Sequence, residues 1–187
     1  MLPLWFSGDQ MKYKVAIMSM LTMINNVFAI NGSDYKDLQP SFNLEQFFQG
    51  KIKAWGIIQD RRGNILSKFD AHMVGSWAGN TGRLEEDFSY YDSGKKQRRV
   101  WIIKRIDDTH YQGTADDIEG KATGEVFGNA INWHYEMYVP VKDSSYKLKF
   151  DDWMWAMNDG VVVNRSYLKK FGITFAEITI FMQKQND

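Results

Sequence analysis

From Lys51 onward, apolar and polar residues alternate along most of the chain, the two-residue period of strands with one face buried. The alternating runs predict strands over Lys51–Gln59, Ile65–Trp77, Arg83–Tyr91, Gln97–Arg105, His110–Asp116, Glu119–Phe127, Ala130–Val139, Tyr146–Met157, Val161–Arg165 and Ile173–Gln183. Between them stand Arg61-Arg62-Gly63-Asn64, Ala78-Gly79-Asn80-Thr81-Gly82, Asp92-Ser93-Gly94, Gly128-Asn129 and Asn158-Asp159-Gly160. Each supplies glycine, Asn or Asp where a hairpin needs positive φ. Two short helical turns are also predicted. One is Leu44–Phe48, capped by Asn43 and closed by Gly50; the other is Ser166–Phe171, stopped by Gly172.

The same period assigns faces. Tyr146, Leu148, Phe150, Asp152 and Met154 share one face, as do Ile131, Trp133, Tyr135, Met137 and Val139. Leu84, Glu86, Phe88 and Tyr90 form a third apolar face. In the last run Ile173, Phe175, Glu177, Thr179 and Phe181 oppose Ile178, Ile180 and Met182, so that strand is expected to be covered on both sides. A meander this long relieves its exposed edges by closing on itself. The fold class expected is therefore all-β, an antiparallel up-and-down barrel of about 8–10 strands with a short N-terminal helical turn. It occupies residues 43–187, after a polar linker at 30–42.

Residues 1–29 read differently. Lys12 and Lys14 precede an apolar run from Val15 to Ile24, and Val27-Phe28-Ala29 follows with the small residues a signal peptidase reads. This is the layout of a cleavable secretory signal behind an upstream start, and its apolar run is short for a bilayer span. The alternative is a buried N-terminal helix of the domain. The first reading places the mature protein in the periplasm or at the cell envelope, with no transmembrane segment left in it.

Composition narrows the chemistry. With 23 basic and 23 acidic residues the formal charge is zero, so nucleic acid is not an expected partner. With no cysteine, disulfides, thiolate metal sites and cysteine nucleophiles are excluded. His72, His110 and His134 lie on separate strands and on polar faces, without the spacing of a metal motif. No GxSxG elbow, phosphate loop or dinucleotide fingerprint occurs. No cofactor, metal or catalytic residue is expected on these grounds.

A resemblance covers nearly the whole chain after residue 29. Leu44-Glu45-Gln46-Phe47-Phe48-Gln49-Gly50, Ala54-Trp55-Gly56 and Gln59-Asp60-Arg61 resemble the opening of the bacterial family called domain of unknown function 3833. Gln97-Arg98-Arg99-Val100-Trp101, Gly113-Thr114-Ala115-Asp116-Asp117, Asn129-Ala130-Ile131-Asn132-Trp133 and Phe150-Asp151-Asp152-Trp153-Met154 continue the likeness in order. Asn164-Arg165, Lys170-Phe171-Gly172 and Glu177-Ile178-Thr179 complete it. The resemblance implies a lipocalin-like, calycin-type β-barrel with no assigned activity. Members are often lipoproteins with a cysteine just after the signal; this chain has none, so an acyl anchor has no attachment point. Neighbouring genes of the family tend to encode fatty-acid-modifying enzymes, which implies a lipid ligand.

The candidate site residues are charges on otherwise apolar faces and the aromatics beside them. Glu86, Arg98, Asp152 and Glu177 are the charges; inside a barrel they must be paired or neutral. They either orient a ligand's polar head or pin strand register. Phe88, Trp133, Tyr135, Phe150 and Phe175 either line a pocket or fill the core. Asp116-Asp117 and Asp151-Asp152 admit a calcium or general-acid reading, against turn chemistry for the first pair and alternate facing for the second. Three functions stay open. One is binding of a small apolar or amphipathic ligand such as a fatty-acid derivative. Another is a barrel enzyme (hydratase, cyclase or isomerase) acting on an unsaturated lipid, with Glu86, Asp152 or Glu177 as acid or base. The third is a filled-barrel structural protein of the cell envelope.

Overall fold

The alternation resolves into ten strands in the computed structural model, which describes residues 30–141 and 143–186. They are β1 (Gly50–Asp60), β2 (Ile65–Ala78), β3 (Thr81–Tyr90), β4 (Lys96–Arg105), β5 (His110–Thr114), β6 (Ile118–Phe127), β7 (Ala130–Val141), β8 (Ser144–Ala156), β9 (Val161–Lys170) and β10 (Ile173–Lys184). Each pairs antiparallel with the next, and β10 returns to β1 in a register running from Ile52↔Lys184 to Asp60↔Ala176. The meander thus closes into a barrel, which removes the sheet edges.

One end of the barrel is plugged. The α1 turn (Leu44–Phe47) begins at Asn43, whose side-chain oxygen accepts the Gln46 amide at 2.9 Å. Leu44 and Phe48 drop from it into the core beside Ile52, Met73 and Leu84. Lys184 closes the turn, its ammonium donating to the carbonyls of Gln46 and Phe47 at 2.7 and 3.1 Å. The plug sits directly on β2: a Cβ at Gly75 would stand 1.6 Å from the Phe48 carbonyl oxygen, so only glycine fits.

Three expectations need correction. Ser166–Phe171 is not a helical turn: Ser166–Lys170 is the second half of β9, a strand in which Asn164, Ser166 and Leu168 point inward, and Phe171 begins the turn after it. Two of those three are polar, which hid the alternation. The stretch expected as a linker is partly docked. Gly32–Tyr35 forms a 3-10 turn, with Tyr35 against Trp153 and Trp155 on the outer wall at ring distances of 5.8 and 6.0 Å. The last strand is covered on its inner side only, since Phe175 and Phe181 are exposed on the other side or at the rim. A one-residue bulge between Thr174 and Ala176 shifts its register there.

The outer wall carries ion pairs: Lys53 with Asp70, Arg98 with Glu85, Lys169 with Asp151 and Arg165 with Glu177. Among the described residues, no helix is long and apolar enough to cross a membrane.

Candidate functional site: the barrel interior

Above the plug the barrel holds a cavity of about 1140 Å³, slightly larger than most small-molecule sites. Its floor is apolar, built from Leu44, Phe48, Met73, Leu84, Ile103 and Met182. Its mouth lies at the opposite end, where the β1–β2, β3–β4, β7–β8 and β9–β10 connections meet.

Polar side chains project from the wall between floor and mouth. β3 presents Glu86, and β4 presents Arg99 directly opposite it in register. The Arg99 guanidinium stands 4.0 Å from Glu86 Oε2, beyond hydrogen-bonding reach. It is engaged instead by Asp117 of the β5–β6 turn, through Nε at 2.9 and 3.0 Å and a terminal nitrogen at 2.7 Å. This is the two-pronged fork that arginine makes with a carboxylate. Phe88 and Trp101 flank the guanidinium at 5.9 Å. Burial opposes the charge on Arg99, but Glu86 and Asp117 outweigh it and hold the group protonated.

On the β7–β9 side, Asp152 accepts hydrogen bonds from Asn164 and, at 3.4 Å, from the Tyr135 hydroxyl. Asn164 is itself fixed by donating to the Trp153 carbonyl at 2.8 Å. Tyr135 stacks on Phe150 at 4.7 Å and meets Trp101 edge-on at 5.6 Å, joining the two halves of the polar belt. Burial pushes the Glu86 carboxyl up to about 7, against the pull of Arg99 and a hydrogen bond with Trp101. Burial likewise raises Asp152 to about 6, opposed by Asn164, Tyr135 and Arg99. The Tyr135 phenol is raised well above its ordinary value, again by burial first and by Asp152 second. Glu86 Oε2 is buried with no hydrogen-bond partner among the described residues, and Ser166 Oγ has only the Tyr135 hydroxyl nearby without a close bond to it, although both residues line the cavity. Polar atoms so placed cost stability until something partners them.

Of the nine expected site residues, Glu86, Phe88, Trp133, Tyr135, Phe150 and Asp152 line the cavity together, and Phe175 stands at its mouth. Arg98 and Glu177 do not belong to it. Arg98 points outward to Glu85, and Glu177 outward to Arg165. The interior arginine is the next residue, Arg99. Its strand carries Val100, Trp101, Ile102 and Ile103 in succession, apolar on both faces, so alternation leaves the choice open and only register decides. The bulge in β10 displaces Glu177 in the same way. Trp101, Asn164 and Ser166 carry no signal of their place in the sequence, and Asp117, whose pairing with Asp116 admits calcium or acid chemistry, serves Arg99 instead. The Asp117 role rests on a contact between β4 and the β5–β6 turn, which no local pattern signals.

Asp151 and Asp152 face opposite ways: Asp151 is on the outer wall with Asn132 and Lys169. His72, His110 and His134 stand exposed outside. Among the described residues, no cluster of His, Asp and Glu is arranged to hold a metal ion.

The family described as protein of unknown function DUF3833 matches residues 20–184. The chain belongs to this family. No curated protein matches this DUF3833 member in sequence. Among solved structures it is similar to the S-type phycobiliprotein lyase CPES from Guillardia theta. The TM-score is 0.54 at 9% identity, over 78% of this chain and 95% of that one. At that identity the likeness shows a shared lipocalin-like barrel fold and nothing of the site.

Proposed function

We propose that this DUF3833 protein is an exported binder of a small apolar or amphipathic molecule, a fatty-acid derivative with an uncharged head being the favoured class. The observation that carries the reading is the cavity of about 1140 Å³, largely apolar but with Glu86 Oε2 unpartnered in its wall. The interior holds two carboxyl groups of raised pKa, while its guanidinium is already forked to Asp117. A ligand carboxylate at this belt would meet Glu86 and Asp152 with no free cation beside it, since Lys95 and Lys170 line the cavity only at its mouth. A hydroxyl or amide head would donate to them instead. A barrel filled by its own side chains does not fit a cavity of this size. Export rests on the Lys12–Ala29 layout, which lies outside the described residues.

The test is displacement of a fluorescent fatty probe at pH 8 by a long-chain alcohol, its amide and the corresponding acid. The alcohol and amide should compete at least about tenfold better than the acid, since an uncompensated buried charge costs well over 1.4 kcal/mol. An acid that competes best overturns the head-group assignment, and failure of all three overturns lipid binding.

The raised Glu86 supports a second reading, since a carboxyl that titrates near neutrality inside an apolar cavity suits general acid–base work. Glu86 and Asp152 are then the acid–base pair of a barrel enzyme, and Glu177 has no part in it. Substrate turnover abolished by Glu86→Gln with binding retained would favour this reading over carriage alone.

A further inference from the structure

We propose that the open mouth of the barrel docks on an anionic lipid surface, with the β9–β10 hairpin as its leading wedge. The inference goes beyond ligand binding and does not depend on it.

The argument starts at one residue. β9 and β10 are joined by a two-residue turn, Phe171-Gly172, between the paired Lys170 and Ile173. Both turn residues have positive φ, 51° and 77°. Such turns favour Asn, Asp or Gly at the first position, because a side chain with a Cβ is strained there. Here that position holds a phenylalanine, 90% exposed. Folding gives no reason for this choice, since the ring is both strained at its backbone and unburied.

It is not alone. Ile65, Leu66, Tyr138, Val141 and Ile173 are also large, apolar and exposed around the mouth. They stand at the strand ends beside the β1–β2, β7–β8 and β9–β10 connections, neighbours around the rim. At the plugged end, among the described residues, Leu38, Ile106 and Met157 are exposed in this way, a smaller set. An exposed apolar cluster of this kind marks a contact surface.

Charge selects the partner. The β1–β2, β3–β4 and β9–β10 connections carry Arg61, Arg62, Lys95, Lys96 and Lys170 on the same rim. The same connections carry two carboxylates, Asp60, which accepts from Asn64 and the Arg62 amide, and Asp92, which accepts the Lys68 amide, with Asp143 on the neighbouring β7–β8 hairpin; five cations therefore face fewer anions there. Lys170 lies over the rings of Tyr146 and Phe171 at 4.7 and 5.5 Å, a cation set among aromatics. Apolar tips ringed by an excess of cations complement the acyl boundary and the anionic headgroups of a bilayer together. The mouth of the cavity then opens onto the lipid.

Vesicle sedimentation of the full chain tests this, with phosphatidylcholine alone and with phosphatidylglycerol mixed in. Wild type should partition more strongly onto the mixed vesicles. Phe171→Gly should weaken partitioning on the order of tenfold, the loss of one buried ring. The same change relieves the strained turn, so its melting midpoint should hold or rise, which separates lost docking from lost folding. Combined Lys95→Glu, Lys96→Glu and Lys170→Glu should cost on the order of a hundredfold on mixed vesicles, at about fivefold per cation. Met157→Ser, at the plugged end, should change nothing. Unaltered partitioning of the Phe171 and lysine variants would overturn the proposal, because attachment would then lie elsewhere in the chain. An equal loss for Met157→Ser would also overturn it. So would self-association without vesicles that Phe171→Gly abolishes, which would make the rim a contact between copies.

Discussion

At the scale of single residues, Glu86 is the most consequential side chain in the barrel. Its folded pKa of about 7 lies above its ordinary value of 4.5. The unfolded chain therefore releases this proton at lower pH than the native one does, and stability falls as pH rises through that window. The loss is on the order of 3 kcal/mol when complete, above about pH 7. Glu86→Gln stays neutral throughout. It should match wild type near pH 4.5, show a flatter decline toward neutrality, and be the more stable protein at pH 8 by urea unfolding. Asp152, raised to about 6, adds a decline of its own in both proteins. Identical pH profiles would mean that Glu86 is hydrated in solution. The carboxyls themselves were legible in the sequence, because a lone charge on an apolar face stands out. Their cation was not, for Arg98 and Arg99 are adjacent and the strand beyond them is apolar on both sides. A parity that periodicity leaves open is settled only by the partner strand, which sets Glu86 opposite Arg99.

At the scale of elements, nine of the ten strands followed from alternation and turn chemistry to within a few residues. The exception, β9, was cut short because it turns Asn164 and Ser166 inward to serve Asp152 and the cavity. The departures from pattern thus fall where function is proposed, at polar interior positions and at the β10 bulge. The α1 plug was visible from Asn43 and Gly50, but its seat on β2 was not, since nothing local ties Phe48 to Gly75. That seat makes a prediction. Gly75→Ala forces a Cβ against the Phe48 carbonyl, so backbone must move. We expect a destabilisation of about 1–3 kcal/mol, as overpacking usually costs, together with faster ligand exchange through a loosened floor. Unchanged stability and exchange would show that the plug moves freely.

At the scale of the whole molecule, a closed barrel was the expected way for so long a meander to dispose of its edges. What remained hidden was the contrast between its two ends, because rim and floor are assembled from residues far apart in sequence. If the Lys12–Ala29 layout directs export, fractionation of cells should recover a periplasmic protein beginning near Ile30; an unprocessed cytoplasmic chain would refute it. The first and last strands, β1 and β10, begin and finish respectively at the plugged end, where the Gln185 amide donates to the Lys51 carbonyl at 2.9 Å. A fluorescent reporter or solid support joined beyond β10 would therefore stand a full strand length from the mouth. The barrel is built like a cup with its handle on the base, ready to be mounted as a sensor without blocking what it holds.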